Sequence, residues 1–243
     1  MSNVKNAMSS LYGEGHVEAE KLNKTRAREC VAMPGTRNQT ILSPESIAQG
    51  LRELWSDGVA YDPCYPDHGS EGYIIDAEKR TSTRGLMDRW IHKTYANPPY
   101  GKSLFDVDSQ IDDLRLEEKL RAEAKAAGKK SVKWPKGSGL PLKKAGLKDW
   151  LDMQLKGEGE SVLLCPNRTN RKWLREWRAS VDALVELNPL SFLGHEQAFP
   201  APLVLGFVLN PVRDEPVDKD WKEYRIESFF SAFSHLGDPV IYG

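Results

Sequence analysis

The sequence predicts an α/β fold built on a mostly parallel, largely buried sheet. Short apolar segments with β-prone residues alternate with amphipathic helical segments, which is the pattern of strands connected by helices. The segment SVLLCP at 161–166 is continuously apolar and stops at a proline, as expected for a strand that is buried on both faces. With 243 residues, 40% of them hydrophobic, the chain can bury one sizeable core.

The first predicted elements are a helix and a strand. In TILSPESIAQGLRELW, Ser43 is a candidate N-cap and Pro44 occupies the first helical position. The apolar face of this helix consists of Ile47, Leu51, Leu54 and Trp55. Val59 to Tyr61 then form a short strand, which stops at Asp62 and Pro63.

Further elements follow the same alternation. Apolar segments at 73–75, 90–96, 161–166 and 201–211 continue the series of strands, and helical patterns cover 146–160, 167–187 and 218–233. Residues 1–38 are polar and weakly periodic, so we expect a flexible N-terminal extension before a single domain spanning 39–243.

Polar residues follow three of the predicted strands. Asp62 ends the first, Asn97 follows the strand at 90–96, and residues 165–168 end another. In open α/β sheets, ligands bind outside the carboxyl ends of the strands. We therefore expect these three segments to line one cleft.

The tetrapeptide Asn97-Pro98-Pro99-Tyr100 combines rigidity with hydrogen-bond acceptors. The two prolines fix two φ angles, remove two backbone donors and keep Asn97 out of the helical region. The tetrapeptide then offers a side-chain amide oxygen, backbone carbonyls and the aromatic face of Tyr100. This set suits a planar ring that carries an amine.

The composition excludes several other kinds of site. Cys30, Cys64 and Cys165 lie far apart and form no CxxC pair, and the five histidines are scattered, so we expect neither a structural metal site nor a disulfide framework. No apolar run approaches the length of a membrane span, and no signal-type segment follows the first residues. We expect a cytoplasmic protein without a membrane partner.

The order of these motifs resembles a known family. SPESI, YDPCYPD, RGLMDRW, YANPPYG, LLCPNRTNRKWLREW and FPAPLVLGFVL, within residues 36 to 210, are similar to the bacteriophage-type, Dam-like DNA adenine N6-methyltransferases. The resemblance implies a Rossmann-like methyltransferase sheet that binds S-adenosylmethionine beside an adenine flipped out of duplex DNA.

The resemblance also implies roles for particular residues. Asn97, Pro98, Pro99 and Tyr100 match the catalytic tetrapeptide. The positions that match the segments near the methionine part of the cofactor are Ser43, Pro44, Asp62, Pro63 and Cys64. Asp76 is a candidate for binding the ribose hydroxyls.

A basic segment is inserted after the tetrapeptide, within residues 103–146. Between 119 and 148 the chain has ten Lys or Arg residues against one acid, Glu123, although the net charge of the whole protein is −1. We expect a target-recognition element that contacts DNA phosphates through Lys129, Lys130, Lys133, Trp134 and Lys136, assisted by Arg168 and Arg171. The alternative is a charged helix and loop whose lysines only contact solvent.

Two departures from the family pattern leave other functions open. YDPCYPDHGSEG lacks the glycine-rich GxG pattern of many methyltransferases, and Arg84 stands where an acidic residue precedes Gly-Leu. One alternative is a methyltransferase that acts on an RNA amine or a glutamine side chain, because the tetrapeptide suits any planar NH₂ group. Another is a degenerate fold that binds nucleic acid without catalysis.

Overall fold

The computed structural model describes residues 43–65, 74–81, 85–101, 103–104, 110–192, 198–212 and 217–240. The extension predicted for residues 1–38 and Arg84 lie outside them. The strands are β1 (Val59–Asp62), β2 (Ala77–Arg80), β3 (Thr94–Ala96), β4 (Ser103–Leu104), β5 (Lys144–Ala145), β6 (Gly159–Pro166), β7 (Ala183–Leu187), β8 (Leu203–Asn210) and β9 (Gly237–Val240). The helices are α1 (Glu45–Leu54), α2 (Ile111–Ala126), α3 (Leu147–Lys156), α4 (Lys172–Arg178) and α5 (Lys219–Phe233).

Seven strands form the central sheet, in the order β2-β1-β3-β6-β8-β7-β9. The neighbours from β2 to β6 pair in parallel. Strand β8 is antiparallel to both β6 and β7, and β9 is antiparallel to β7. Five strands therefore run in one direction and two in the other, which confirms the predicted α/β class with a mostly parallel sheet.

Helices cover both faces of this sheet, because alternate residues of a strand point to opposite sides. Val162 and Leu164 of β6 belong to a core with α1 and α5, whereas Leu163 and Cys165 belong to a second core with α3 and α4. All eight residues of β6 are buried. The predicted central strand at 161–166 is thus confirmed, and the arrangement is doubly wound and Rossmann-like.

The prediction of one helix over 167–187 is wrong in its second half. Helix α4 ends at Arg178, and Ala183–Leu187 form β7, which lies between β8 and β9. The Asp182 carboxylate accepts a hydrogen bond from the Leu209 backbone N–H at 2.7 Å and holds this strand in place. Alanine, leucine and glutamate favour helices locally, but pairing with two strands outweighs that preference.

Two smaller differences concern the edges of the sheet. Ile74 and Ile75 precede a strand instead of forming one, because β2 begins at Ala77. The sequence did not predict β9, which contains a proline and has two exposed residues. Its pairing with β7 is the feature that makes it a strand.

A buried ion pair connects α5 to the amino-terminal end of β6. The Glu160 carboxylate is 2% exposed and accepts hydrogen bonds from Arg225 Nε at 2.6 Å and from its terminal nitrogen at 2.8 Å. The Trp55 indole donates to the same carboxylate, and Arg225 also donates to the Leu54 carbonyl. The network joins α1, α5 and the sheet at the edge opposite the expected cleft.

Within the described part of the chain, no helix has the length and apolar character required to cross a membrane.

We expect Arg225→Ala to lower the free energy of unfolding by about 3–5 kcal/mol, because it leaves the Glu160 carboxylate buried without its cation. Urea denaturation of the two proteins measures the difference. Lys219→Ala is the matched control on the same helix, since its side chain is 87% exposed and pairs only with the exposed Glu223. The control should cost less than about 1 kcal/mol, and equal effects of the two changes would contradict a structural role for the ion pair.

Candidate active site

The candidate site lies where the strand order of the sheet reverses. From β1 the sheet extends to β2 on one side, while β3 and β6 lie on the other. Such a switch point opens a crevice at the carboxyl ends of the two diverging strands. Asp62 ends β1, and Asn97 directly follows β3.

Hydrogen bonds fix the side chain of Asn97 between two elements. Its Nδ2 donates to Ser43 Oγ at 3.3 Å, and its Oδ1 accepts from the Tyr100 hydroxyl at 3.0 Å. Ser43 Oγ is also 2.7 Å from the Tyr95 hydroxyl, and Tyr95 is fully buried in β3. These partners determine which end of the Asn97 amide carries the oxygen and hold that oxygen beside Tyr100.

Sequence reasoning missed Tyr95, although a signal for it was present. Residues two apart in a strand share a face, so Tyr95 and Asn97 project to the same side of β3. Burial is the main cause that raises the pKa of Tyr95 above its ordinary value. The hydroxyl therefore keeps its proton at neutral pH and remains a hydrogen-bond partner of Ser43.

Ser43 does not act as the predicted N-cap. Pro44 occupies the cap position, its carbonyl accepts from the Ile47 backbone N–H at 3.1 Å, and α1 begins at Glu45. The Ser43 side chain turns instead toward Tyr95 and Asn97. Ser43 thus belongs to the candidate site through its contacts with Tyr95 and Asn97 and does not cap the helix.

The loop after β1 approaches the same point. Asp62 is fully buried, and its Oδ1 accepts a hydrogen bond from the Cys64 backbone N–H at 2.8 Å, which closes a tight turn around Pro63. Burial, and then the nearby Asp62 carboxylate, raise the pKa of the Cys64 thiol well above its ordinary value, and a hydrogen bond with the Asn97 backbone offsets this only in part. Cys64 is therefore a protonated packing residue that joins the loop to Asn97.

Gly85 lies directly against this loop. A Cβ atom at Gly85 would be 1.9 Å from the Pro63 carbonyl oxygen, so only glycine fits. From the same turn, Asp88 accepts a hydrogen bond from the Tyr61 hydroxyl at 3.3 Å. Residues 85–88 thus pack against the 62–64 loop and the end of β1.

Three aromatic rings form one wall of the site. The Tyr100 ring meets the edge of Phe199 at a centroid distance of 5.5 Å, and Phe199 meets Phe192 at 5.4 Å. Both phenylalanines follow β7, which runs in the same direction as β3 and so ends at the same edge of the sheet. The sequence prediction did not include them, because it placed β7 inside a helix.

Burial raises the pKa of the Tyr100 hydroxyl well above its ordinary value, and Tyr95, Cys165 and Cys64 add to the shift. The hydroxyl is therefore a stable donor to Asn97. The parallel pairing of β1, β3 and β6 brings the carboxyl ends of these three strands to the same edge of the sheet.

Asp76 is not brought to this site. It precedes β2, so it lies at the amino-terminal edge of the sheet, where its exposed side chain pairs with Arg80. A groove of about 450 Å³ at that edge contains Asp76 together with Asp57 and Glu78. The ends of β1 and β3 are at the opposite edge.

A two-stranded antiparallel ribbon joins the two ends of the inserted segment. Strand β4 begins three residues after Tyr100 and pairs antiparallel with β5. Between them, Glu117 of α2 is 1% exposed, and its carboxylate accepts hydrogen bonds from Arg121 at 2.9 and 3.0 Å and from the Leu142 backbone N–H at 2.8 Å. Burial alone would raise the pKa of Glu117, but the Leu142 amide, Arg121 and Lys144 outweigh it and lower the pKa.

The predicted nucleic-acid contacts lie in two places. Lys129, Lys130, Lys133 and Lys136 are exposed and Trp134 is half-buried, all on the loop after α2. Arg168 and Arg171 are exposed directly after β6, at the edge of the sheet that carries Asn97. The structure does not bring the two groups into one contact network.

The charge of the site suits a cationic ligand. The site includes one carboxylate, two tyrosine rings and no basic side chain among Ser43, Asp62, Cys64, Tyr95, Asn97 and Tyr100. Carboxylates and aromatic faces favour sulfonium or ammonium groups over phosphates. Among the described residues, no cluster of His, Cys, Asp and Glu could hold a metal ion.

Fold and site together define a doubly wound α/β protein with a cluster of polar and aromatic side chains at its switch point. No family model and no curated protein matches the chain. One solved structure is similar, a Listeria monocytogenes protein assigned provisionally as a class I S-adenosylmethionine-dependent methyltransferase. The identity is 11%, the TM-score is 0.39, and the match covers 76% of this chain and 65% of that chain. A likeness of this size does not define the function of this chain.

We expect Gly85→Ala to lower the free energy of unfolding by about 1–3 kcal/mol, because the new methyl group must displace the Pro63 carbonyl. Gly146→Ala is the control, since its Cβ would meet nothing within 4 Å. That change should cost no more than about 1 kcal/mol, the loss of a glycine at a helix N-cap. Equal unfolding midpoints for the wild type and Gly85→Ala would show that the two segments are not in contact.

Proposed function

We propose that this protein is an S-adenosylmethionine-dependent methyltransferase that modifies the exocyclic N6 amine of adenine in DNA. The observation that supports this function most strongly is the Asn97 amide, held between Ser43 and Tyr100 at the switch point and followed by two prolines. This arrangement places fixed acceptors beside an aromatic wall, as required for a planar ring with an amine.

The chain activates the amine by accepting its hydrogens. The lone pair of an adenine amine is delocalised into the ring, which makes the nitrogen a weak nucleophile. Hydrogen bonds from the two amine hydrogens to Asn97 Oδ1 and to the Pro98 carbonyl favour a more tetrahedral nitrogen. Pro98 and Pro99 keep both acceptors in place, so little reorganisation is needed during the reaction.

The cofactor is assigned to the loop at the end of β1. Bound S-adenosylmethionine supplies an electrophilic methyl group on a positively charged sulfur. Asp62, Pro63 and Cys64 lie beside Asn97, with Ser43 and Pro44 on the opposite side. Because Asp62 is fully buried and bonds to Cys64, it acts by shaping the loop and by providing a negative potential. Asp76 lies at the wrong edge of the sheet to reach this cofactor.

The adenine is assigned to the aromatic wall. Tyr100 stacks on the flipped base, with Phe199 in a T-shaped contact with the tyrosine ring. Stacking offsets part of the few kcal/mol lost when a base leaves the duplex. Since Ser43, Asp62, Asn97 and Tyr100 include no basic side chain, the phosphates are contacted by other residues, namely Arg168 and Arg171 and, in the inserted segment, Lys129 and Lys130.

One experiment tests the reaction and the substrate class together. The purified protein is incubated with methyl-labelled cofactor and, in parallel, with unmethylated DNA, RNA or protein. Label in N6-methyladenine of DNA is the expected result. Label in RNA or in glutamine would move the function to the alternative substrates, and cofactor binding without transfer would indicate a degenerate fold.

We expect Asn97→Ala to reduce kcat for methyl transfer by about 100-fold or more, because the variant lacks the acceptor that acts on the reacting amine. The thermal unfolding curve should stay close to that of the wild type. Asn188→Ala is the control, since Asn188 is an exposed asparagine that follows β7 at the same edge of the sheet. Near-native activity of Asn97→Ala would exclude the proposed mechanism.

Two substitutions separate the ring of Tyr100 from its hydroxyl. Tyr100→Phe keeps the ring but removes the hydrogen bond to Asn97, so kcat should fall by about 2- to 12-fold with little change in DNA affinity. Tyr100→Ala also removes stacking and should weaken DNA binding by about 5- to 150-fold. Single-turnover kinetics and fluorescence anisotropy measure the two effects, and an equal loss of affinity in both variants would show that the ring face does not bind the base.

A further inference from the structure

A basic groove lies on the inserted segment, outside the crevice at Asn97. Its volume is about 680 Å³, and one of its sides is formed by one face of α2. The residues that line it are Arg121, Ala124, Lys125, Gly128, Lys129, Lys130, Ser131, Val132, Trp134 and Pro141. Four of these ten carry a positive charge and none is acidic.

The end of α2 creates the groove. Gly128 has a φ of +65°, the Lys129 backbone N–H donates to the Ala124 carbonyl at 2.9 Å, and the Gly128 N–H donates to the Lys125 carbonyl at 3.1 Å. These two bonds form a Schellman motif, which reverses the chain at the end of the helix. Lys129 and Lys130 are therefore brought alongside Lys125. Ala124 has a small side chain and Gly128 has none, which leaves space between the lysines.

Arg121 is paired with Glu117, but the three lysines of the groove have no acidic partner in the described part of the chain. Among the residues that the structure describes, no carboxylate lies within ion-pair distance of Lys125, Lys129 or Lys130. All three lysines are exposed. Glu123, the one acid between 119 and 148, is on α2 but does not line the groove.

Inside the groove, a guanidinium and an indole are stacked. The Arg121 guanidinium lies over the Trp134 ring at 5.1 Å from its centroid, and the buried Glu117 carboxylate holds the same guanidinium through two hydrogen bonds. The platform is therefore fixed from both sides before any ligand binds. Indole rings and guanidinium planes are the surfaces on which unpaired bases stack.

We propose that this groove binds one unpaired nucleotide of a nucleic acid, with its base on the Arg121–Trp134 platform and its phosphates on Lys125, Lys129 and Lys130. Phosphates alone would require only the lysines, and duplex DNA would offer no exposed base face for the platform. The inference does not depend on methyl transfer. It assigns Lys129, Lys130 and Trp134 to the groove and leaves Lys133 and Lys136 outside it.

The test uses the full-length protein without cofactor and a labelled 12-nucleotide single strand, compared with the duplex of the same sequence. Binding is measured by fluorescence anisotropy over a salt series. We expect tighter binding of the single strand. Lys125→Gln/Lys129→Gln should lower the magnitude of the salt slope by about 1.4, which is about 0.7 for each lost contact with a single strand.

Lys133→Gln/Lys136→Gln is the matched control, because it removes two charges from the same segment but outside the groove. The control should leave the slope close to that of the wild type. Equal slope changes in both double variants would overturn the inference, since the segment would then act as a diffuse charge. Tighter binding of the duplex, or full displacement of the oligonucleotide by polyglutamate at equal charge concentration, would also overturn it.

Trp134 provides an independent readout of base stacking. Trp134→Ala should weaken single-strand binding by about 5- to 150-fold, with an unchanged salt slope, and Trp134→Phe should restore most of the affinity. Circular dichroism checks that both variants retain their helices. If wild-type protein binds the single strand in this way but transfers no methyl group, nucleotide binding by the groove is supported and the proposed methyltransferase function is contradicted. If the wild type methylates DNA while the groove variants bind and methylate normally, only nucleotide binding by the groove is contradicted.

Discussion

The parallel pairing of β3 with β1 on one side and β6 on the other is the constraint on which the site depends. Strand β3 is only three residues long, yet Tyr61 of β1 pairs with its Thr94, and its Ala96 pairs with Leu163 of β6. This register ends the three strands at one edge of the sheet. The segments that follow these strands therefore begin side by side at that edge.

The short strand also explains why the residues around Asn97 are buried and mutually bonded. Tyr95 and Thr94 are fully buried, so the chain enters the tetrapeptide from a rigid position. The Asn97 side chain forms hydrogen bonds with Ser43, which precedes α1, and with Tyr100 in the same turn. The Asn97 backbone forms a hydrogen bond with the Cys64 thiol. The amide is thus preorganised by three segments, and this geometry is what an acceptor for a weakly nucleophilic amine requires.

The inserted segment differs in charge from the residues around Asn97. The described residues around Asn97 include the Asp62 carboxylate and no basic side chain, which favours a cation over a phosphate. The excess of positive charge lies at the end of α2 and on the loop after it. The buried Glu117 holds Arg121 and the Leu142 backbone together, which gives an otherwise exposed segment a defined shape.

The sequence by itself determined the α/β class, the central buried strand, most of α1, α3 and α5, and the non-helical turn at 97–100, because apolar periodicity and proline geometry are local properties. Only the tertiary structure decided that 183–187 is a strand, since pairing with β8 and β9 is not local. The same holds for the site. The contacts of Tyr95 and Ser43 with Asn97, the approach of Phe199 and the placement of Asp76 at the far edge all depend on which strand ends meet, and strand order is fixed by long-range pairing rather than by any one segment.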